Sequence, residues 1–203
     1  MKKIPNSEKL RGGYYTPFGI AQFLAAWGVK SSGDTILEPS CGDGNVALEV
    51  ALRCRALGAR RPRLSAFELI PEEAAVARAR LQQHGIPGEG VQSAEFFSVA
   101  ERLLKGGTKF DLVVGNPPFV RYQDFPEEQR QLSFGLMRQL GLNPSRLANA
   151  WLPFLAVSSA LVSEKGRLGM VIPAELFQVG YAAELRRFLA RVRVLRRPRS
   201  VGR

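Results

Sequence analysis

The sequence predicts an α/β protein: one mostly parallel sheet with helices on both faces. Two observations carry the prediction. Strand-like segments alternate with helix-length segments along the 203 residues. The stretches that follow the strands, "EPSCGDG", "FELIP", "AEFF", "GNPPF" and "VIPAEL", are odd in composition for plain loops. Ligands of open α/β sheets bind at the carboxyl ends of the strands, so these stretches are where chemistry is to be sought.

The elements follow in order. "YTPFGIAQFLAAWGV" carries Phe18, Phe23, Leu24 and Trp27 at helical spacing, with Thr16 and Pro17 as a start signal. "DTILEPS" is a short buried strand ending at Pro39, and "GNVALEVALRCRALG" is a helix stopped at Gly58. "RLSAFEL" is the second strand. "PEEAAVARARLQQHG" opens on proline and acids and closes on His84 and Gly85, as the helix dipole favours. A third strand is expected near Val91–Phe96 and a fourth in "KFDLVVG". A polar helix is expected over 126–140, then a long apolar one in "SRLANAWLPFLAVSSALVSEKG" with Pro153 in or near its first turn. "RLGMVIP" is the fifth strand and "GYAAELRRFLARV" the helix after it.

Composition narrows the classes. Hydrophobic residues make up 45%, enough for a core, and the length suits one domain. No run of eighteen apolar residues occurs, so no membrane span is expected and the chain reads as cytoplasmic. Two cysteines, Cys41 and Cys54, and the lone His84 argue against a disulfide framework or a metal site. The net charge is +11, but eight of the 29 basic residues lie in 186–203, where no acid occurs; the remaining 21 face 18 acids. A basic arm of that kind suits a polyanion partner, or it is a solvated tail.

The first strand end, "LEPSCGDGN", has neither of the phosphate-binding glycine patterns. Gly42 and Gly44 permit a tight turn and close approach to a ligand. Glu38 and Asp43 would repel a pyrophosphate and attract a cation, so an amino-acid-bearing nucleoside with a positive sulfonium and ammonium fits better than NAD or ATP. Glu68, at the end of the second strand, is placed to accept hydrogen bonds from two ribose hydroxyls.

"GNPPF" ends a hydrophobic strand with Pro117 and Pro118. Proline ends a ladder because it donates no hydrogen bond, and it keeps the residue before it extended. The Asn116 side-chain oxygen and a neighbouring carbonyl can then converge on one NH₂ group. Fixing both of its hydrogens favours a pyramidal nitrogen with its lone pair aimed at an electrophile. Phe119 offers a flat face on which a base can stack.

These motifs, in this order, resemble the S-adenosylmethionine-dependent adenine-specific DNA methyltransferases, especially the catalytic part of restriction-modification methylases. The resemblance covers about residues 10–190. It implies a Rossmann-like methyltransferase fold, with residues 1–190 as the catalytic core and 191–203 as an Arg-rich tail. It implies S-adenosylmethionine as cofactor, contacted by Tyr15 and Thr16 of "GGYYTP". Glu38, Pro39, Ser40 and Gly42 would lie at its methionine, Glu68 at its ribose, and Glu95 and Phe96 of "AEFF" at its adenine. Asn116, Pro117 and Pro118 would hold the target amine, Phe119 would stack on it, and Asn149 would face the same region. The partner implied is DNA with its target adenine flipped out. Such methyltransferases carry two more strands and a target-recognition domain, so an unfinished sheet edge and a separate recognition subunit are expected. Two alternatives stay open: methylation of an RNA base or a glutamine amide, and a cofactor-binding remnant without turnover.

Overall fold

The computed structural model describes residues 15–121, 124–143, 149–178 and 180–191. Residues 12–14 of "GGYYTP" and the tail from Val192 onward lie outside the described residues.

Among the described residues there are five strands: β1 (Thr35–Glu38), β2 (Arg63–Glu68), β3 (Val91–Ser93), β4 (Phe110–Gly115) and β5 (Val162–Met170). They form one sheet in the order β3-β2-β1-β4-β5, with every pairing parallel. Among the described residues seven α-helices connect or flank them: α1 (Phe18–Gly28), α2 (Asn45–Ala56), α3 (Pro71–Gln83), α4 (Phe96–Lys105), α5 (Glu127–Gln139), α6 (Trp151–Ala160) and α7 (Ala183–Arg191).

Alternation along β4 distributes the core between the two faces. Val113 packs into a cluster with Phe96 and Phe97 of α4, Leu136 of α5, and Phe154 and Val157 of α6. Leu112 and Val114 pack on the other face with Ala21, Leu24 and Ala25 of α1 and Val46 and Val50 of α2. Beside that second cluster, Ala74, Ala77 and Leu81 of α3 cover Ala66 and Val91. From β1 the chain moves outward to β2 and β3, then returns to β4 on the other side of β1. A crevice therefore opens between the carboxyl ends of β1 and β4, the usual place for a ligand in such a sheet.

The first helix forms where the spacing predicts it, while the expected bounds of the third strand and of the long apolar helix need correction. In α1, Phe18, Phe23 and Trp27 are exposed, Phe23 by 65% and Trp27 by 41%. The buried face of α1 is made of Ala21, Leu24, Ala25 and Gly28. Small residues let the helix lie close to the sheet; a Cβ at Gly28 would stand 2.9 Å from the methyls of Leu112. The third strand stops at Ser93, because the Glu95 carboxylate accepts from Phe97 N and Ser98 N and starts α4 at once. The long apolar helix ends at Ala160, and 162–166 belong to β5. Phe110 N donates to Leu161 O at 2.9 Å, and the β4–β5 register shifts between Phe110 and Leu112. Gly166 permits that irregularity, since a Cβ there would lie 2.8 Å from Phe110 O. Pro153 does fall in the first turn of α6, where a missing N–H costs nothing.

Candidate functional site

A cavity of about 740 Å³ opens at the carboxyl ends of β1, β2 and β4. Its lining includes Tyr15, Thr16, Glu38, Pro39, Ser40, Gly42, Glu68, Glu95, Phe96, Asn116 and Pro118, residues contributed by stretches far apart in sequence. Pro117 is buried beside it but is not part of the lining. Phe119 packs against the apolar cluster of Met137, Trp151 and Leu152, outside the cavity wall.

Two backbone contacts set the first loop. Cys41 N donates to Phe67 O at 2.8 Å, and Gly44 N donates to Cys41 O at 2.9 Å. Gly42 and Gly44 have φ of 52° and 84°, a region open to glycine and strained for other residues. The Glu68 carboxylate braces this turn, accepting from Gly42 N at 2.9 Å and from Ile70 N at 3.0 Å. Each carboxylate oxygen keeps a second lone-pair site for a ligand hydroxyl.

Glu38 is 1% exposed, and its Oε2 has no hydrogen-bond partner among the described residues. Burial raises its pKa well above the ordinary glutamate value, and the nearby Asp43 and Glu68 carboxylates add to the shift. A buried carboxyl with an unused oxygen on the wall of a cavity is a ready partner for a cation. Burial likewise holds the Cys41 thiol far from ionisation, which removes it as a nucleophile. Asp43 is also raised, first by burial, while Arg80 opposes the shift.

The second wall belongs to the loop after β4. Val171 N donates to Gly115 O at 2.9 Å, which anchors the strand end against β5. Ser40 Oγ donates to Asn116 O at 3.3 Å, so the loops after β1 and β4 are tied together. Asn149 sits opposite Arg121 in an isolated antiparallel bridge, and Ala150 N donates to Val120 O at 2.9 Å. The start of α6 thus braces the stretch just beyond the prolines, although Asn149 does not line the cavity.

Glu95 and Phe96, expected at the adenine of the cofactor, both stand on the cavity wall. Both Glu95 oxygens are engaged with the first turn of α4, at 2.9 and 2.7 Å. Phe96 stacks on Phe154 with centroids 5.3 Å apart. Sequence reasoning missed Asp124, Phe125, Gln129 and Phe154 on the wall. Asp124 and Phe125 come from the approach to α5, Gln129 from α5 itself and Phe154 from α6, and no local motif marks them.

This parallel five-stranded order, with its acid-lined crevice at the β1–β4 switch, defines the class: the chain has the fold of class I S-adenosylmethionine-dependent methyltransferases. Solved structures carry the same fold. A type I restriction-modification methyltransferase subunit from Streptococcus thermophilus superposes with a TM-score of 0.66 at 21% identity, over 88% of this chain and 38% of that one. A Listeria monocytogenes protein provisionally assigned to the class I S-adenosylmethionine-dependent methyltransferases gives 0.63 at 16%, over 94% and 55%.

A model of the Eco57I restriction-modification methylase family matches residues 75–197. The chain belongs to that family. It is 30% identical over 183 residues to the Type II methyltransferase M.XamI of Xanthomonas campestris pv. amaranthicola, covering 88% of this chain and 33% of that protein. It is 29% identical over 153 residues to the tRNA1(Val) (adenine(37)-N6)-methyltransferase of Pasteurella multocida, covering 75% and 58%. The chain therefore spans about a third of the first of these relatives and just over half of the second.

Proposed function

We propose that the chain is the catalytic core of a methyltransferase that moves a methyl group from S-adenosylmethionine to the N6 amine of adenine in DNA. One observation carries the reading: Glu38, Glu68 and Asn116 line a single cavity. The cavity fits the cofactor on its own chemistry. The unused oxygen of buried Glu38 suits the ammonium, the Glu68 carboxylate suits the ribose, and Phe96 and Phe125 give the adenine an apolar wall. When bound, the cofactor supplies an electrophilic methyl on a positive sulfur.

The chain's own residues do the rest. Asn116 and a carbonyl of the proline segment take both amine hydrogens of the target, which aims the nitrogen lone pair towards the methyl. Pro117 and Pro118 hold that geometry without a strong base, because the proton can leave after transfer. Placement and fixed dipoles supply the rate. Phe119 reaches a flipped base only by leaving its contacts with Trp151 and Leu152, so stacking by Phe119 requires a local rearrangement. Residues 1–190 are read as the catalytic core. DNA is the proposed polyanion partner, and a recognition segment or subunit supplies sequence choice. Among the described residues no helix is long and apolar enough to cross a membrane.

A second reading, methylation of an RNA adenine, draws on the Pasteurella multocida relative, of which the chain covers the larger share. The test is transfer of tritiated methyl from S-adenosylmethionine to duplex DNA, to tRNA and to protein. Label in DNA is expected. Label in tRNA alone selects the second reading, and label in protein alone overturns both.

A further inference from the structure

One face of α3 carries three residues at spacings of four and three: Glu73, Ala77 and Arg80. Each touches a different part of the cofactor wall. The Glu73 carboxylate accepts from Tyr15 OH at 3.0 and 3.1 Å. Ala77 lies against Gly44, where an added Cβ would stand 2.8 Å from the Ala77 Cβ. Arg80 Nη2 donates to Asp43 Oδ2 at 2.8 Å, and its Nη1 donates to Asn45 Oδ1.

Asn45 extends the connection. Its Nδ2 donates to Thr16 O at 3.2 Å and its backbone N to Asp43 Oδ1 at 3.3 Å. One guanidinium thus ties the turn after β1 to the first residue of α2, and through Asn45 to the segment that enters α1. Arg80 itself does not line the cavity.

Charge explains why an arginine serves here. Glu38, Asp43 and Glu68 crowd one wall, and each of the other two raises the Glu38 pKa. Left alone, Asp43 would push the turn away from its neighbours. Arg80 neutralises Asp43 from behind and leaves Glu38 and Glu68 facing the cavity. The pair is partly shielded, with side-chain exposures of 32% and 15%, so solvent screens it less than a surface ion pair. The planar fork reaches its two acceptors with two separate nitrogens held in one plane, where a lysine has a single ammonium nitrogen on a flexible stem.

We infer that Arg80 is a positioning residue for cofactor binding. It fixes Asp43 and Asn45 and, through Asn45, the Thr16 backbone, in the arrangement that receives the sulfonium nucleoside. The inference rests on the cofactor reading above and adds a residue outside the cavity to it.

The test is calorimetric titration of the full chain with S-adenosylhomocysteine, with amide hydrogen exchange of the ligand-free chain alongside. Arg80→Met is expected to weaken binding about tenfold, the scale of one charge-assisted hydrogen bond. Arg80→Lys is expected to recover only part of the loss. In an Asp43→Asn background the same Arg80→Met change is expected to cost less than half that factor. Amides of Gly44 and Asn45 are expected to exchange faster in ligand-free Arg80→Met. Binding within twofold of the unsubstituted chain, or an equal loss in the Asp43→Asn background, overturns the inference. If the unsubstituted chain does not bind, the cofactor reading fails, and unchanged exchange at Gly44 and Asn45 then overturns the positioning role separately. If Arg80→Met does not fold, Asn45→Ala decides: several-fold weaker binding is expected, and unchanged affinity refutes the connection to Thr16.

Discussion

Glu38→Gln is predicted to make the ligand-free chain more stable and the cofactor complex weaker. The side chain is 1% exposed, one carboxyl oxygen lacks a partner among the described residues, and Asp43 and Glu68 stand nearby. Its folded-state pKa is raised, so the folded chain holds the proton more tightly than the unfolded chain does. The stability this contributes is complete below the unfolded glutamate value of about 4.3 and is lost as pH rises towards the folded value. The loss is about 1.4 kcal/mol for each pH unit in that window. At roughly 2–4 °C per kcal/mol for a domain of this size, each unit corresponds to roughly 3–6 °C in Tm.

Glutamine keeps the shape and removes the titration. Thermal melts from pH 5 to 8 should therefore show Glu38→Gln gaining on the unsubstituted chain as pH rises, with the two nearly equal at the acid end. Cofactor binding should move the other way. Removing one partner of a buried charge pair costs about 3–5 kcal/mol, or at least two powers of ten in Kd. A Glu38→Gln chain that melts lower at pH 7.5, or that binds S-adenosylmethionine as tightly as before, refutes the assignment of Glu38 to the cation.

Three further outcomes are expected. Glu68→Ala should weaken cofactor binding in calorimetry and also lower Tm, because Gly42 N and Ile70 N lose their acceptor. Gly44→Ala should destabilise the chain by about 1–3 kcal/mol in denaturant titration, since it combines positive φ with a clash against Ala77. Asp111 accepts from Thr35 N at 2.9 Å and Thr35 Oγ1 at 2.8 Å, and these bonds hold its pKa below the ordinary value. That stabilisation is present above the unfolded aspartate value and is lost as pH falls through the folded one. Asp111→Asn should therefore lower Tm at pH 7 and cease to matter in strong acid.

The legible parts of the fold were those dictated by local chemistry. Buried strands such as "TILE" and "FDLVVG", the proline and acids opening α3, and the glycine turn at Gly42–Gly44 can all be read from a few neighbouring residues. The parts misread or left unread depend on partners distant in sequence. The exposed face of α1 follows from how close Gly28 comes to Leu112, which helical spacing alone does not reveal. The early end of β3 follows from Glu95 turning to cap a helix. The candidate site divides the same way. Glu38, Glu68 and Asn116 stand at strand ends, where motif and topology agree. Arg80 and Asn45 carried no site role in the sequence reading, although Asn45 closes "LEPSCGDGN", and Gln129 and Phe154 reach the wall from separate helices. Phe119, next to the prolines in sequence, packs away from the cavity because Met137, Trp151 and Leu152 offer it an apolar seat.

The most direct measurement is chromatography of nucleosides from duplex DNA incubated with the chain and tritiated S-adenosylmethionine, beside the same reaction with Asn116→Ala. The account predicts label in N6-methyldeoxyadenosine for the unsubstituted chain. It predicts none for Asn116→Ala, which should still bind the cofactor. Label in methylated cytosine, or undiminished label with Asn116→Ala, would contradict it.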